Sequence, residues 1–486
     1  MNKLLTHYPP ESVVHRAYAF ARTAYDGKIR VSGEDYFSHC LKVAELLHDW
    51  KLDEPTIAVS LLHNIENEDF SQEYIEEHFN EEIAFLVDRL HRLKALTYSG
   101  RREQAEYFRK LLIALSQDLR VIFIKLADKL QDMYTLSSLS DSEQQRIAQK
   151  AFDLYAPLAY RLGMQKLGGD FKDLAFPYLY PKENAWLRKT VSEQFAERQR
   201  YVESLTPHIL DILKRESIVP SHIDARAKRY ASLYKKLQRY DMDLDKIYDL
   251  VALRIIVDTV EDCYSVLGTI HEHWEPLPGR IKDYIARPKL NGYRSLHTTV
   301  RCIDDRITEI QIRTNEMHEE AELGAAAHWI YQQSKGTKDY FLRKSVRPDE
   351  RELLWVRQLS NWQEQFKSYE DFLESVKRNF FTDQIFVITP KNDVVDLPID
   401  ATPVDFAYRI HSEVGDSCVG AKVNQQNVSL DHILKSGDVV KILTQNGKQP
   451  SEAWLGFVKT SMARDRIKAA QRAKINLLKE RGRAPR

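Results

Sequence analysis

GRIKDYIARPKLNGYRSLHTTVRCIDDRITEIQIRT, residues 279–314, decides how the middle of this chain is read. Arg280, Lys282, Arg287, Lys289 and Arg294 surround Asn291, Tyr293 and His297 in a stretch punctuated by Pro and Gly, and short apolar runs, HTTVRCI and ITEIQIRT, follow. Cations suit phosphate oxygens and an aromatic face suits a base, so a loop holding both beside strands points to a nucleotide polyphosphate. Upstream, IYDLVALRIIV (247–257) supplies another apolar strand, and Asp249 and Glu309 lie in or beside strands. Carboxylates from separate strands are the usual hard-oxygen ligands of magnesium, which keeps most of its waters and bridges phosphates. Before these, ARAKRYASLYKKLQRY (225–240) spaces Arg226, Lys228, Ser232, Lys235, Lys236 and Arg239 so that several cations gather on one or two helical faces.

Working outward, apolar residues recur at three- and four-residue intervals from Glu11 to about Leu174, as in HCLKVAELLHDW and VIFIKLADKLQDMYTLSSL, predicting an all-helical domain over 1–175. A polar helical connector is expected over 176–218, and a mixed α/β domain over 219–335, where strands and helices alternate. A polar linker and helix (336–382) lead to a small β-rich module over 383–445, whose strands QIFVIT, DVVDLP and DVVKILT are broken by Pro, Asn and Gly. A helix from Pro403 to Ser412 crosses it, and a basic helical tail (446–486) follows. The fold class is thus multidomain, α and α+β. With 486 residues, 43% of them hydrophobic, about three domains are expected.

Lysine plus arginine and aspartate plus glutamate balance at 71 each, so the overall charge demands neither nucleic acid nor membrane. Four widely spaced cysteines without a C-x-x-C pair argue against a disulfide framework or thiolate zinc site and fit a reducing cytoplasm. No apolar run approaches the roughly 18 residues of a membrane span.

The order and spacing of RAKRYASLYKK, IYDLVALRIIV, PGRIKDYIARPKLNGYRSLHT, EIQIRT and ELGAAAHW resemble the nucleotidyltransferase-like core of the RelA/SpoT alarmone synthetases, and the flanking domains follow the order of the long members. The resemblance implies that Arg226, Lys228, Ser232, Lys236 and Arg254 hold ATP, and that Asp249 and Glu309 bind magnesium. It further implies that Lys282, Lys289, Asn291, Tyr293, His297 and Gln311 form the GDP/GTP pocket. Tyr293 would stack on guanine, and Glu309 would activate the 3′-hydroxyl. Asp249, Glu309, Lys282 and Tyr293 are the catalytic candidates. Ala225 and Ala227 replace the Gly and Pro usual around the first basic motif, a change tolerated if that backbone is helical. The basic form of Arg280, Ile281, Lys282, Asp283 implies GDP in preference to GTP.

The first domain resembles the family's HD-type hydrolase, with His39, His63 and Asp128 at ligand positions. Asn64 stands where the family has Asp, offering a neutral amide in place of an anion and hence weaker manganese binding. The following Glu-Asp pair is also disturbed, falling on Glu66 and Asn67 or on Asn67 and Glu68. An inactive hydrolase is expected, with residual manganese-dependent hydrolysis the alternative. Residues 383–445 resemble a TGS domain, a β-grasp fold, through Pro390, Leu397, Pro398, Ala401, Thr402, Asp405, Phe406 and His411. That implies the ribosome and uncharged tRNA as partners, with His411 near the tRNA end. The chain stops at Arg486, short of the regulatory domains of full-length relatives, so the resemblance does not carry ribosome-dependent activation over as an expectation. A non-enzymatic nucleotide sensor and a transferase acting on adenosine nucleotides or tRNA ends are further alternatives, and Tyr293 with Asn291 and His297 favours guanine over the latter.

Overall fold

The computed structural model describes residues 2–65, 71–94, 111, 118–244, 246–247, 250–289, 292–327, 384–390, 394–435, 437–445 and 447–481. Asp249, Asn291, the acidic stretch 66–70 and the expected linker helix around 353–378 lie outside them. The described residues up to 327 form one compact unit and those from 384 onward another.

The first unit opens with helices α1 (Val13–Ala24), α2 (Tyr36–Asp49), α3 (Glu54–Leu62), α4 (Gln72–His78), α5 (Glu81–Lys94) and α6 (Leu119–Tyr134). Ser12, Asp35, Asp53, Ser71 and Asp118 start five of them by accepting a hydrogen bond from a first-turn backbone N–H, which fixes where each helix begins. Helix α3 packs against α1 and α2, and α6 against α2. Val43, Leu47, Ile57, Leu61, Val121 and Ile124 of these helices are fully buried. Helices α7 (Asp141–Lys150), α8 (Ala156–Arg161) and α9 (Gln165–Leu179) complete the helical part.

Next comes α10, one helix from Pro181 to Arg215. Its polar composition suggested a connector, but Val202, Leu205, Ile209 and Leu213 are buried in the core of the α/β part, so it belongs to that domain. The remaining elements are β1 (His222–Ala227), α11 (Tyr230–Arg239), β2 (Val251–Val257), α12 (Val260–His273), β3 (Lys282–Asp283), β4 (Leu296–Arg301), β5 (Ile307–Thr314) and α13 (Asn315–Leu323). The strands form one sheet in the order β1-β2-β5-β4-β3, with β2 and β5 parallel and the other pairs antiparallel.

Alternation decides the two faces of this sheet. Val251, Leu253, Ile255 and Val257 of β2, Ile310 and Ile312 of β5, and Leu296 and Val300 of β4 pack with α10 and with Cys263, Val266 and Ile270 of α12. The intervening residues, Arg254, Glu309, Gln311, Arg313, His297 and Thr299, take the opposite face. Strand β1 corrects one expectation: Arg226 is on a strand paired with β2, not on the helix that carries Ser232 and Lys236. Alanine at 225 and 227 is therefore accommodated by extended backbone.

The second unit contains β6 (Gln384–Ile388), β7 (Val394–Pro398), α14 (Pro403–Ile410), α15 (Ser412–Asp416), β8 (Cys418–Val423), β9 (Gln426–Val428), β10 (Val440–Thr444) and α16 (Ser461–Arg481). Sheets β6-β7 and β10-β8-β9 are linked by a parallel bridge between Ile388 and Val439, as a β-grasp requires. The helix expected to reach Ser412 ends at Ile410, and α15 begins there instead. Residues beyond 445 are not a detached tail. Trp454, Val458, Ala463 and Ile467 pack against Val404, Ala407 and Tyr408 of α14. The fully buried Asp405 carboxylate accepts from the backbone N–H groups of Thr402, Lys459 and Thr460.

Among the described residues, no helix is long and apolar enough to cross a membrane.

Candidate active site

Strand register aligns a polar row across the five-stranded sheet. Asp224 of β1 faces Arg254 of β2, Arg254 faces Gln311 of β5, Gln311 faces His297 of β4, and His297 faces Lys282 of β3. Residues far apart in sequence thus share one face, because lateral neighbours in a sheet point the same way.

A hydrogen-bonded chain runs along this face. Arg226 Nη1 donates to Gln311 Oε1 at 3.2 Å, and Gln311 Nε2 donates to Glu309 Oε1 at 2.9 Å. The same carboxylate oxygen lies 3.4 Å from His297 Nδ1, and Tyr293 Oη lies 2.9 Å from His297 Nε2. Burial lowers the His297 pKa from its usual value, as do the charges of Lys289 and Lys282, overcoming the pull of Glu309. The ring is therefore neutral, with Tyr293 donating to Nε2 and Nδ1–H turned toward Glu309. Burial alone would raise the Glu309 carboxyl. Hydrogen bonds from His297 and Gln311, together with the charge of Lys228, outweigh it and hold the group at about 2. Glu309 is thus fully ionised, and its Oε2 has no hydrogen-bond partner among the described residues, which suits a hard divalent cation.

An aromatic corner closes one end. Tyr284 stands edge-on to His297 and Tyr293, with ring centroids 5.4 and 6.0 Å away. Lys289 Nζ sits 4.6 Å from the Tyr284 centroid and 4.8 Å from that of Tyr293. Cations gather at the other end. Arg254 is held by Asp224 and lies 3.7 Å from Glu322 of α13. Arg313, 2% exposed, contacts His318 Nδ1 at 2.6 Å, and its Nε finds no partner among the described residues. Burial, with the charges of Arg254 and Arg226, lowers Arg313 to about 10. Ser232 and Lys236 lie one turn apart on α11, half-buried, while Lys228 follows β1 directly.

The structure therefore brings together Arg226, Arg254, Lys282, Lys289, Tyr293, His297, Glu309 and Gln311. Sequence reasoning passed over Asp224, Tyr284, Arg313, His318 and Glu322. Tyr284 could have been found as a second aromatic in the same basic loop, whereas Asp224 and Arg313 are recognisable only from strand register, and His318 and Glu322 only from the contacts that α13 makes with Arg313 and Arg254.

In the helical part, His39, His63 and Asp128 are buried with ligand atoms within 4.8 Å of one another, a metal-type group among the described residues. His39 Nε2 is 3.1 Å and His63 Nε2 3.6 Å from Asp128 Oδ1, and Asn64 Nδ2 lies 3.0 Å from His63 Nε2. In the second unit His411 is exposed between α14 and α15, where its Nδ1 accepts from the backbone N–H of Glu413.

Three family models match the chain: HD domain over residues 17–165, "Region found in RelA / SpoT proteins" over 225–336, and TGS domain over 385–444. A GTP pyrophosphokinase of Myxococcus xanthus is 44% identical over 465 residues, 95% of this chain and 60% of that protein. The chain belongs to the RelA/SpoT family. The bifunctional (p)ppGpp synthase/hydrolase SpoT of Escherichia coli K12 is 39% identical, the alignment covering 96% of this chain and 66% of that RelA/SpoT protein. This chain thus spans about two thirds or less of these relatives, whose names divide between synthesis and hydrolysis. The small alarmone synthetase 2 of Bacillus subtilis is similar at 23% identity and a TM-score of 0.25, covering 36% of this chain and 98% of that one. The architecture is that of the family: a helical HD domain, a mixed α/β RelA/SpoT region and a β-grasp TGS domain.

Proposed function

We propose that this chain transfers the pyrophosphoryl group of ATP to the 3′-hydroxyl of GDP or GTP. The observation that carries this reading is the continuous chain Tyr293–His297–Glu309–Gln311–Arg226, which joins an aromatic corner to a cationic one through an ionised carboxylate. The 3′-oxygen attacks the β-phosphorus of ATP, the bond from that phosphorus to the α,β-bridging oxygen breaks, and AMP departs with the bridging oxygen. Such transfer depends on alignment and charge neutralisation more than on covalent chemistry. Arg226, Lys228, Ser232, Lys236 and Arg254 hold the triphosphate. Tyr293 stacks on guanine, with Lys282, Lys289, Asn291, His297 and Gln311 around the acceptor. A carboxylate held near 2 is a weak proton acceptor at neutral pH, so Glu309 serves mainly to align the hydroxyl, whose proton passes to water. Magnesium bound by Glu309 and Asp249 would neutralise charge on the triphosphate.

The basic segment Arg280–Asp283 favours GDP as acceptor. Asn64 and the altered 66–68 region favour a helical domain without hydrolysis, against the alternative of weak manganese-dependent activity. The exposed His411 favours contact between the TGS domain and the end of uncharged tRNA on the ribosome. Buried, unpaired cysteines suit the cytoplasm.

Mass spectrometry after incubation with magnesium, ATP and either acceptor tests the main reading. Equal amounts of AMP and pyrophosphorylated guanine nucleotide are expected, formed faster from GDP. Failure to form AMP with either acceptor sinks it, leaving a nucleotide sensor. Release of pyrophosphate from guanosine tetraphosphate with manganese contradicts the inactive hydrolase.

A further inference from the structure

The two histidines of the helical site are held in opposite tautomers. His63 Nδ1 lies 2.5 Å from the Ser60 carbonyl oxygen, which accepts its hydrogen. That is the outer contact of a metal-ligating histidine, and it leaves the Nε2 lone pair facing the cluster, where Asn64 Nδ2 lies 3.0 Å from it. His39 is the reverse. Arg30 Nη1 lies 2.7 Å from His39 Nδ1, and a guanidinium has donors alone. Nδ1 must therefore present its lone pair, the ring hydrogen resides on Nε2, and Nε2–H donates to Asp128 Oδ1 at 3.1 Å. A nitrogen carrying hydrogen cannot ligate a metal.

Arg30 is anchored in this position. Its Nη2 is 2.6 Å from Asp132 Oδ1, and its Nη1 is 3.2 Å from Glu34 Oε2. Glu34 Oε2 also lies 3.6 Å from His39 Nδ1, so an acceptor for the ligating tautomer is at hand but the guanidinium intervenes. The Asp128 carboxylate is already neutralised, with Lys125 Nζ at 2.9 Å and Lys129 Nζ at 3.2 Å from its Oδ2. Arg30, Lys42, Lys125 and Lys129 together offset Glu34, Asp128 and Asp132. As arranged, the cluster does not fit the divalent ion expected of an HD domain.

We infer that Arg30, braced by Asp132, locks His39 in the tautomer that excludes a metal, so that the helical domain keeps an ion-paired core where its relatives' ligand positions lie. This deepens the reading of that domain as a scaffold without hydrolysis, and it adds a block separate from Asn64. A cation there would require Arg30 to swing away and His39 to pass its hydrogen to Nδ1.

The test is manganese binding to the full chain without nucleotide, read from the electron paramagnetic resonance of the free ion. It compares the native chain, N64D, N64D/R30Q and N64D/D132N, each with an H39A counterpart to isolate this site. Restoring the carboxylate alone is expected to leave binding weak. Also releasing His39 should tighten it by at least about tenfold, the lower end of what outer partners of metal-bound histidines contribute. The D132N pair provides the same comparison should R30Q not fold. The inference is overturned if N64D alone binds as tightly as the double variants, or if the native chain holds a manganese ion that H39A removes. The first outcome leaves the inactive-hydrolase reading standing. Hydrolysis of guanosine tetraphosphate by the native chain removes that reading separately.

Discussion

Arg254 of β2 and Asp224 of β1 are register partners joined by a two-point ion pair, Nε to Oδ1 at 2.8 Å and Nη2 to Oδ2 at 2.5 Å. The guanidinium proposed to meet the ATP phosphates thus already carries a carboxylate, and an incoming polyanion must tolerate that negative charge. Asp224→Asn retains the shape and one hydrogen bond while removing the charge. It is expected to lower KM for ATP by about fivefold, equivalent to about 1 kcal/mol, with kcat little changed. Steady-state kinetics at fixed ionic strength would show this, and a raised KM would mean that the brace serves orientation instead.

Tyr293 supplies both a ring and a hydroxyl, and two substitutions separate them. Tyr293→Phe keeps the face beside Lys289 and loses the bond to His297 Nε2, so a modest fall in kcat with little change in acceptor KM is expected. Tyr293→Ala should raise the acceptor KM by roughly tenfold or more, since base stacking on an aromatic is worth about 1–3 kcal/mol. The KM for ATP provides the control in both cases.

Glu309→Gln removes an anion while preserving volume. Product formation should fall by at least about two orders of magnitude, the scale on which preorganised charge acts in a transition state. Excess magnesium should not restore it. Turnover within a few-fold of the native chain would disprove the role given to this carboxylate.

His318 sets a pH dependence of stability. Burial, then the charges of Arg313 and Arg254, depress it from its usual 6.5 to about 4. Between these values the unfolded chain binds a proton that the folded chain refuses, so stability falls as pH drops from 6.5 toward 4. His297, also depressed, acts in the same direction. Urea unfolding at pH 7.5 and 5.5 should show a smaller loss for His318→Gln than for the native chain.

Asp405 ties the β-grasp module to the segment after it. Asp405→Ala strands the buried N–H of Thr402 and Thr460 and that of Lys459, and should destabilise the module by at least about 3 kcal/mol. Truncation after residue 445 should have a comparable effect, because it uncovers the α14 face that Trp454 and Val458 bury. Thermal unfolding of both variants would measure this.

Reading the site from sequence succeeded where chemistry and periodicity coincide. In VALRIIV every second residue is apolar, and in ITEIQIRT Ile310 and Ile312 alternate with Glu309, Gln311 and Arg313, so Arg254, Glu309 and Gln311 had to lie on the faces opposite the apolar ones. It failed at HIDARA, whose polar and small residues carry no such pattern and whose strand is an edge strand with a single partner, so Arg226 was grouped with the helix behind it. It also failed at α10, where apolar residues spaced along a long helix were outnumbered by polar and charged ones together yet fill the core beneath the sheet.

The amino-acid order alone determined the succession of helical, α/β and β-grasp domains, the family and most of the candidate ligands, because alternation and residue type are local properties. Tertiary structure decided which side chains touch. The row from Asp224 to Lys282 exists because four strand pairings take one register, and the state of His39 follows from Arg30 and Asp132, 102 residues apart, meeting beside it. A hydrogen bond acts only within about 3 Å and depends on direction, and neither distance nor direction is written in a spacing along the chain.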